Sequence, residues 1–78
     1  MNQQAVTYEV AVFNQAVRDA MEDGERHPFL KDDWADIHWI DVRAYTPGAA
    51  RQKIEVRYPS FRGYVVTDIQ EAEDGFSV

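Results

Sequence analysis

Seventy-eight residues, 45% hydrophobic and 28% charged, make one small globular domain, since so short a chain cannot build two cores and the composition is not that of a disordered segment. Fourteen acidic against eight basic residues leave a formal charge of −6, a field that repels phosphate backbones and anionic lipid. With no cysteine, the chain has no disulfide, thiolate metal site or cysteine nucleophile.

From Val6 to Phe13, the residues Val6, Tyr8, Val10 and Val12 alternate with Thr7, Glu9, Ala11 and Phe13, the period of a strand with one apolar face. A helix from Thr7 to Asp23 competes, because Val6, Val10, Phe13, Val17 and Met21 fall on one helical stripe. β-Branched crowding before Asn14 favours the strand. Asn14 then serves as an N-cap, Gln15 to Asp23 form a helix with Val17, Ala20 and Met21 toward the core, and Gly24 stops it. Glu25 to Asp36 holds His27-Pro28, Asp32-Asp33 and Trp34 without a period and reads as a loop.

Ile37 to Tyr45 alternates again, with His38, Ile40, Val42 and Ala44 on one face and Ile37, Trp39, Asp41, Arg43 and Tyr45 on the other. The segment 47–58 has two readings. As a turn followed by a strand, Ile54, Val56 and Tyr58 alternate with charges. As a helix it is better supported: Thr46 caps it, Pro47 fits its first turn, Ala50, Ile54 and Tyr58 form a stripe, Arg51 pairs with Glu55, and Pro59 lies past the end. Gly63 opens a last strand from Tyr64 to about Ile69, with Val65 and Ile69 on one face and Tyr64, Val66 and Asp68 on the other. The acidic residues from about 71 read as a loose tail.

The resulting architecture is a single α/β (α+β) domain of order β-α-β-α-β, a three-stranded sheet with two helices packed on one face. The second and third strands, joined by a crossover helix, are expected to run parallel. One sheet face then lacks a cover, and Trp39, Arg43, Tyr45 and Tyr64 are expected on or beside it, with Trp34 in the loop nearby. RNA-binding sheets stack bases on aromatics in such a place, but with positive charge behind them. Here Arg43, Arg51, Lys53, Arg57 and Arg62 are interleaved with Asp41 and Glu55, so nucleic acid is an unfavoured partner.

Phe61 and Arg62 sit together between helix and last strand, where they could anchor a partner, although a phenylalanine there would ordinarily close the core. His27, Asp32, Asp33, Asp36 and His38 are potential metal ligands, but their spacing matches no single face of a helix or strand. The hydroxyl residues sit in no strained elbow, the glycines form no phosphate cradle, and no cofactor is expected. No segment has the length and apolarity of a membrane span, nor do the opening residues read as a signal peptide. The expectation is a cytoplasmic, non-enzymatic module that binds a protein partner or itself through Trp34, Trp39, Arg43, Tyr45, Phe61, Arg62 and Tyr64. The alternative is a small metal-dependent enzyme or accessory protein built on His27, His38 and the aspartates between them.

Overall fold

A computed structural model describes residues 4–72. Strand β1 (Val6–Asn14) runs into helix α1 (Gln15–Glu22). A 3-10 turn (Asp32–Ala35) leads to β2 (His38–Ala44), helix α2 (Pro47–Arg57), a second 3-10 turn (Ser60–Arg62) and β3 (Tyr64–Glu71). The order β-α-β-α-β is as expected, and both ambiguous segments resolve toward strand for Val6–Asn14 and helix for Pro47–Arg57.

The sheet order is β2-β1-β3, with β1 antiparallel to both neighbours. Thus β2 and β3 run parallel to each other on either side of β1, the arrangement required when one crossover helix joins them. The central strand is the most apolar and the most buried, with Val10 and Val12 fully enclosed.

The helix boundaries follow from their caps. Thr46 is extended and its hydroxyl accepts from Ala49 N–H at 3.0 Å, and Pro47 opens the helix without wasting a donor. Asn14 does the same for α1, its Oδ1 accepting from Val17 N–H at 3.1 Å. Gly24 then takes a positive φ of 74°, which ends that helix.

Helix α2 touches all three strands. Its Ala50 and Ile54 join Tyr8, Val10, Val12 and Ala44 in the main core. Helix α1 continues directly from β1 and rests on the first 3-10 turn and on β3, leaving α2 as the layer that crosses the sheet. Val17 of α1 is buried and Ala20 half-buried, whereas Met21 is exposed.

Two differences in β3 matter. A bulge sets Ala11 opposite Asp68 but Val12 opposite Val66, so Thr67 is an extra residue whose hydroxyl donates to Ala11 O at 3.4 Å. This inverts the expected alternation: Tyr64, Val66 and Ile69 all pack on the core, leaving Val65 and Asp68 on the opposite face. The strand also continues to Glu71, and Ala72 N–H bonds Thr7 O at 2.9 Å, so ordered pairing covers the start of the expected loose tail. Residues 73–78 of that tail lie outside the described residues.

Candidate functional site

The sequence-predicted contact residues divide among three places. Trp34 and Tyr64 are half-buried and pack against the core on the covered side, so Tyr64 does not lie on the open face where it is expected. Trp34 stacks on His38 with ring centroids 4.1 Å apart and meets Tyr58 at 5.5 Å and Tyr64 at 5.2 Å. The four rings close one end of the core beside α2, because the bulge turns Tyr64 inward and the 3-10 turn folds Trp34 under the sheet. Burial pushes the Tyr64 phenol above its ordinary 10.0, the neighbouring Tyr58 adds to the rise, and Arg62 pulls it back.

Trp39 and Arg43 lie on the open face, opposite Ala11 and Thr7 of β1. Trp39 is 50% exposed, whereas Ala11 beside it in register is only 1% exposed. Val65 stands opposite Phe13 on β3, and it and Ile37, just before β2, are also exposed. Arg18 of α1 sits over the Phe13 ring at 3.5 Å and donates from Nε to Ala35 O at 2.6 Å, holding that end of the patch in place. Tyr45 lies beyond the end of β2 and is exposed at its border.

Beyond the apolar patch the same face turns acidic. Glu9 of β1 stands directly opposite Asp41 of β2, and Asp68 lies across Ala11 on β3. Like charges opposite one another weaken a sheet. Arg43, on the same face, forms no ion pair with them among the described residues; its guanidinium donates to Ala5 O at 2.8 Å and to Thr7 Oγ1 at 3.4 Å. Gln70 donates to Glu9 Oε1 at 3.1 Å, which orients that carboxylate without changing its charge.

Both strand edges are blunted. Lys53 reaches from α2 to Arg43 O at 2.6 Å on the β2 side. On β3 the bulge interrupts the ladder, and Asp68 Oδ1 accepts from Ile69 N–H at 2.9 Å. These devices disfavour strand-to-strand association and leave the face as the available surface.

Phe61 and Arg62 form the third place. Phe61 is 83% exposed, so it does not close the core; it and Arg62, its guanidinium 5.8 Å from the ring, stand on the rim of a cleft beside α1. The potential metal ligands do not converge: among the described residues no group of three or more histidine, aspartate or glutamate side chains could hold an ion. His27 Nδ1 accepts from the N–H groups of Phe29 and Leu30, both at 3.1 Å, and so shapes its own loop. His38 Nε2 bonds Asp33 O at 3.0 Å as a strand-end histidine, while Asp32 and Asp36 remain at the surface.

Sequence reasoning missed Val65, Phe29 and the facing carboxylates. Val65 was hidden by the bulge, and Phe29 sits in a loop with no period to read. The Glu9–Asp41 pairing needed the register. No protein-family model, curated protein or solved structure shows significant similarity to this chain.

Proposed function

We propose that this protein is a non-enzymatic interaction module that binds a protein partner through the open face of its sheet. The observation that carries this reading is Trp39, half-exposed in register with Ala11 of β1 on the face opposite the main core, with exposed Ile37 two residues before it. A flat apolar patch held by a sheet costs little ordering entropy on binding, and a tryptophan at its centre is the residue type that most often anchors an interface.

Charge chooses the kind of partner. Glu9, Asp41 and Asp68 adjoin the patch, and two copies laid face to face would bring these carboxylates together on molecules that each carry −6. A different protein, presenting an apolar group next to lysine or arginine, relieves that repulsion and covers the tryptophan. The strongly charged surface is consistent with work in the aqueous cytoplasm. No described helix is long and apolar enough to cross a membrane.

The test is capture from a lysate of the source cells with wild type, Trp39→Gln and Phe61→Ser, alongside sedimentation of the purified chain. The reading expects a partner retained by wild type and Phe61→Ser but lost with Trp39→Gln, and a monomer in sedimentation. Retention by Trp39→Gln, or a stable homodimer, overturns it.

A further inference from the structure

Away from the open sheet face, a cleft of about 800 Å³ lies between the start of α1, the loop at 27–30 and the second 3-10 turn. Phe29 and Phe61 line it from two separate chain segments, and they are 90% and 83% exposed. Two bare phenylalanines are an unusual expense on so small a surface, and each is held by specific bonds. On one side the His27 imidazole accepts both Phe29 N–H and Leu30 N–H. With Nδ1 occupied as an acceptor, the ring proton belongs on Nε2, which leaves a donor on a residue that also lines the cleft.

On the other side the turn carrying Phe61 is anchored to the end of β1. The fully buried Asn14 donates from Nδ2 to Arg62 O at 3.1 Å, and Gln15 N–H bonds Gly63 O at 2.8 Å. Gly63 has φ 97°, and a Cβ there would stand 2.7 Å from Asn14 Oδ1, so only glycine permits this approach. The turn is therefore preorganised, and Phe61 is presented to solvent by design of the backbone rather than by looseness.

The charged groups of the cleft are Arg57, Arg62 and Asp19. Asp19 already accepts from Gln15 Nε2 at 2.9 Å. Arg51–Glu55 is the ion pair found among the described residues, so neither arginine of the cleft has a carboxylate partner there. Two guanidinium groups against one carboxylate leave a local charge of about +1 within a molecule of −6.

We propose that this cleft binds a monocarboxylate carried on an apolar body. The carboxylate is held by Arg57 and Arg62, with the His27 Nε2 proton as a further donor, and the apolar body lies against Phe29, Leu30 and Phe61. The single excess positive charge suits a carboxylate better than a phosphate monoester, which brings about −1.5 to −2. Guanidinium forks match the geometry of a carboxylate. The source is either a small free acid or the C-terminal carboxylate of a peptide ending in an apolar residue.

The experiment is amide NMR titration of the full chain with 3-phenylpropionate, with 3-phenylpropanol and phenyl phosphate as controls. A ligand this small in an open cleft should bind at about millimolar affinity. The expected result is shifts of the Leu30, Phe61 and Gly63 amides, with the alcohol and the phosphate each at least about tenfold weaker than the acid. Phe61→Ser, and separately the Arg57→Gln/Arg62→Gln pair, should lose about tenfold in affinity while unfolding as wild type does, since these side chains are exposed. An acetylated tetrapeptide ending in phenylalanine, with free or amidated C-terminus, identifies the source: tighter binding of the free-acid peptide than of 3-phenylpropionate assigns a peptide, and the reverse a small acid. Equal affinity for acid and alcohol, preference for the phosphate, shifts confined to the sheet face, or no shifts at all would overturn the proposal. The sheet-face reading is tested separately, by partner capture with Trp39→Gln.

Discussion

The two faces of β1 receive residues of similar apolarity and treat them differently. On one face Val10 and Val12 meet Ile54 and Ala50 of α2, and burial is supplied by a second layer of the fold. On the other, Ala11 has Trp39 across the register and Phe13 has Arg18 of α1 over its ring, outside the main core cluster. The difference separates stability from recognition. A helix-covered face gains its energy on folding, whereas a face covered by one half-exposed indole still has apolar area to bury against something else. On the proposed reading the carboxylates belong to the same asymmetry: Glu9 opposite Asp41 is a pairing that weakens the sheet and that a basic partner would relieve.

This contrast can be broken experimentally, and the largest effect belongs to the covered face. Ile54→Ala removes the largest buried side chain of α2 and is expected to cost about 3 to 4 kcal/mol, which approaches the whole stability of a domain this small; urea unfolding followed by circular dichroism measures it. Gly63→Ala should cost about 3 kcal/mol, combining a left-handed backbone with a Cβ driven against Asn14 and Ala16, and the same unfolding curve checks it. Thr46→Ala removes only a cap and should lower stability by about 1 kcal/mol.

The smallest expected change is at alkaline pH. The Tyr64 phenol is held neutral above its ordinary 10.0, chiefly by burial, so its contribution to stability is fully present below that pH and is lost as pH rises through the raised folded value. Stability measured from pH 9 upward should therefore fall less steeply in Tyr64→Phe than in wild type. An equal slope would mean that the phenol is as well solvated in the folded chain as in the unfolded one.

How far the sequence reached follows the same division. Strands and helices declared themselves where one period dominated: the alternation in β2 placed Trp39 and Arg43 correctly on the outer face, and Thr46-Pro47 marked the start of α2. The outer face was misread where register matters more than period. A one-residue bulge at Thr67 brings Tyr64 and Val66 inward beside Ile69 and leaves Val65 outside, a switch that alternation alone cannot reveal. Trp34 sits in a loop with no period to place it; its position is fixed by stacking on His38 and meeting two tyrosines from distant segments. Phe61 was drawn toward the core by its apolarity, yet the close approach of Gly63 to Asn14 holds the turn so that the ring points to solvent.

The measurement that tests the separation most directly is a paired one on Trp39→Gln: its urea unfolding midpoint, and its retention of the partner that wild type captures. The account predicts a stability within about 1 kcal/mol of wild type, because that indole is half-exposed and lies outside the main core, together with loss of the partner. A Trp39→Gln chain that unfolds, or one that keeps the partner, would contradict it.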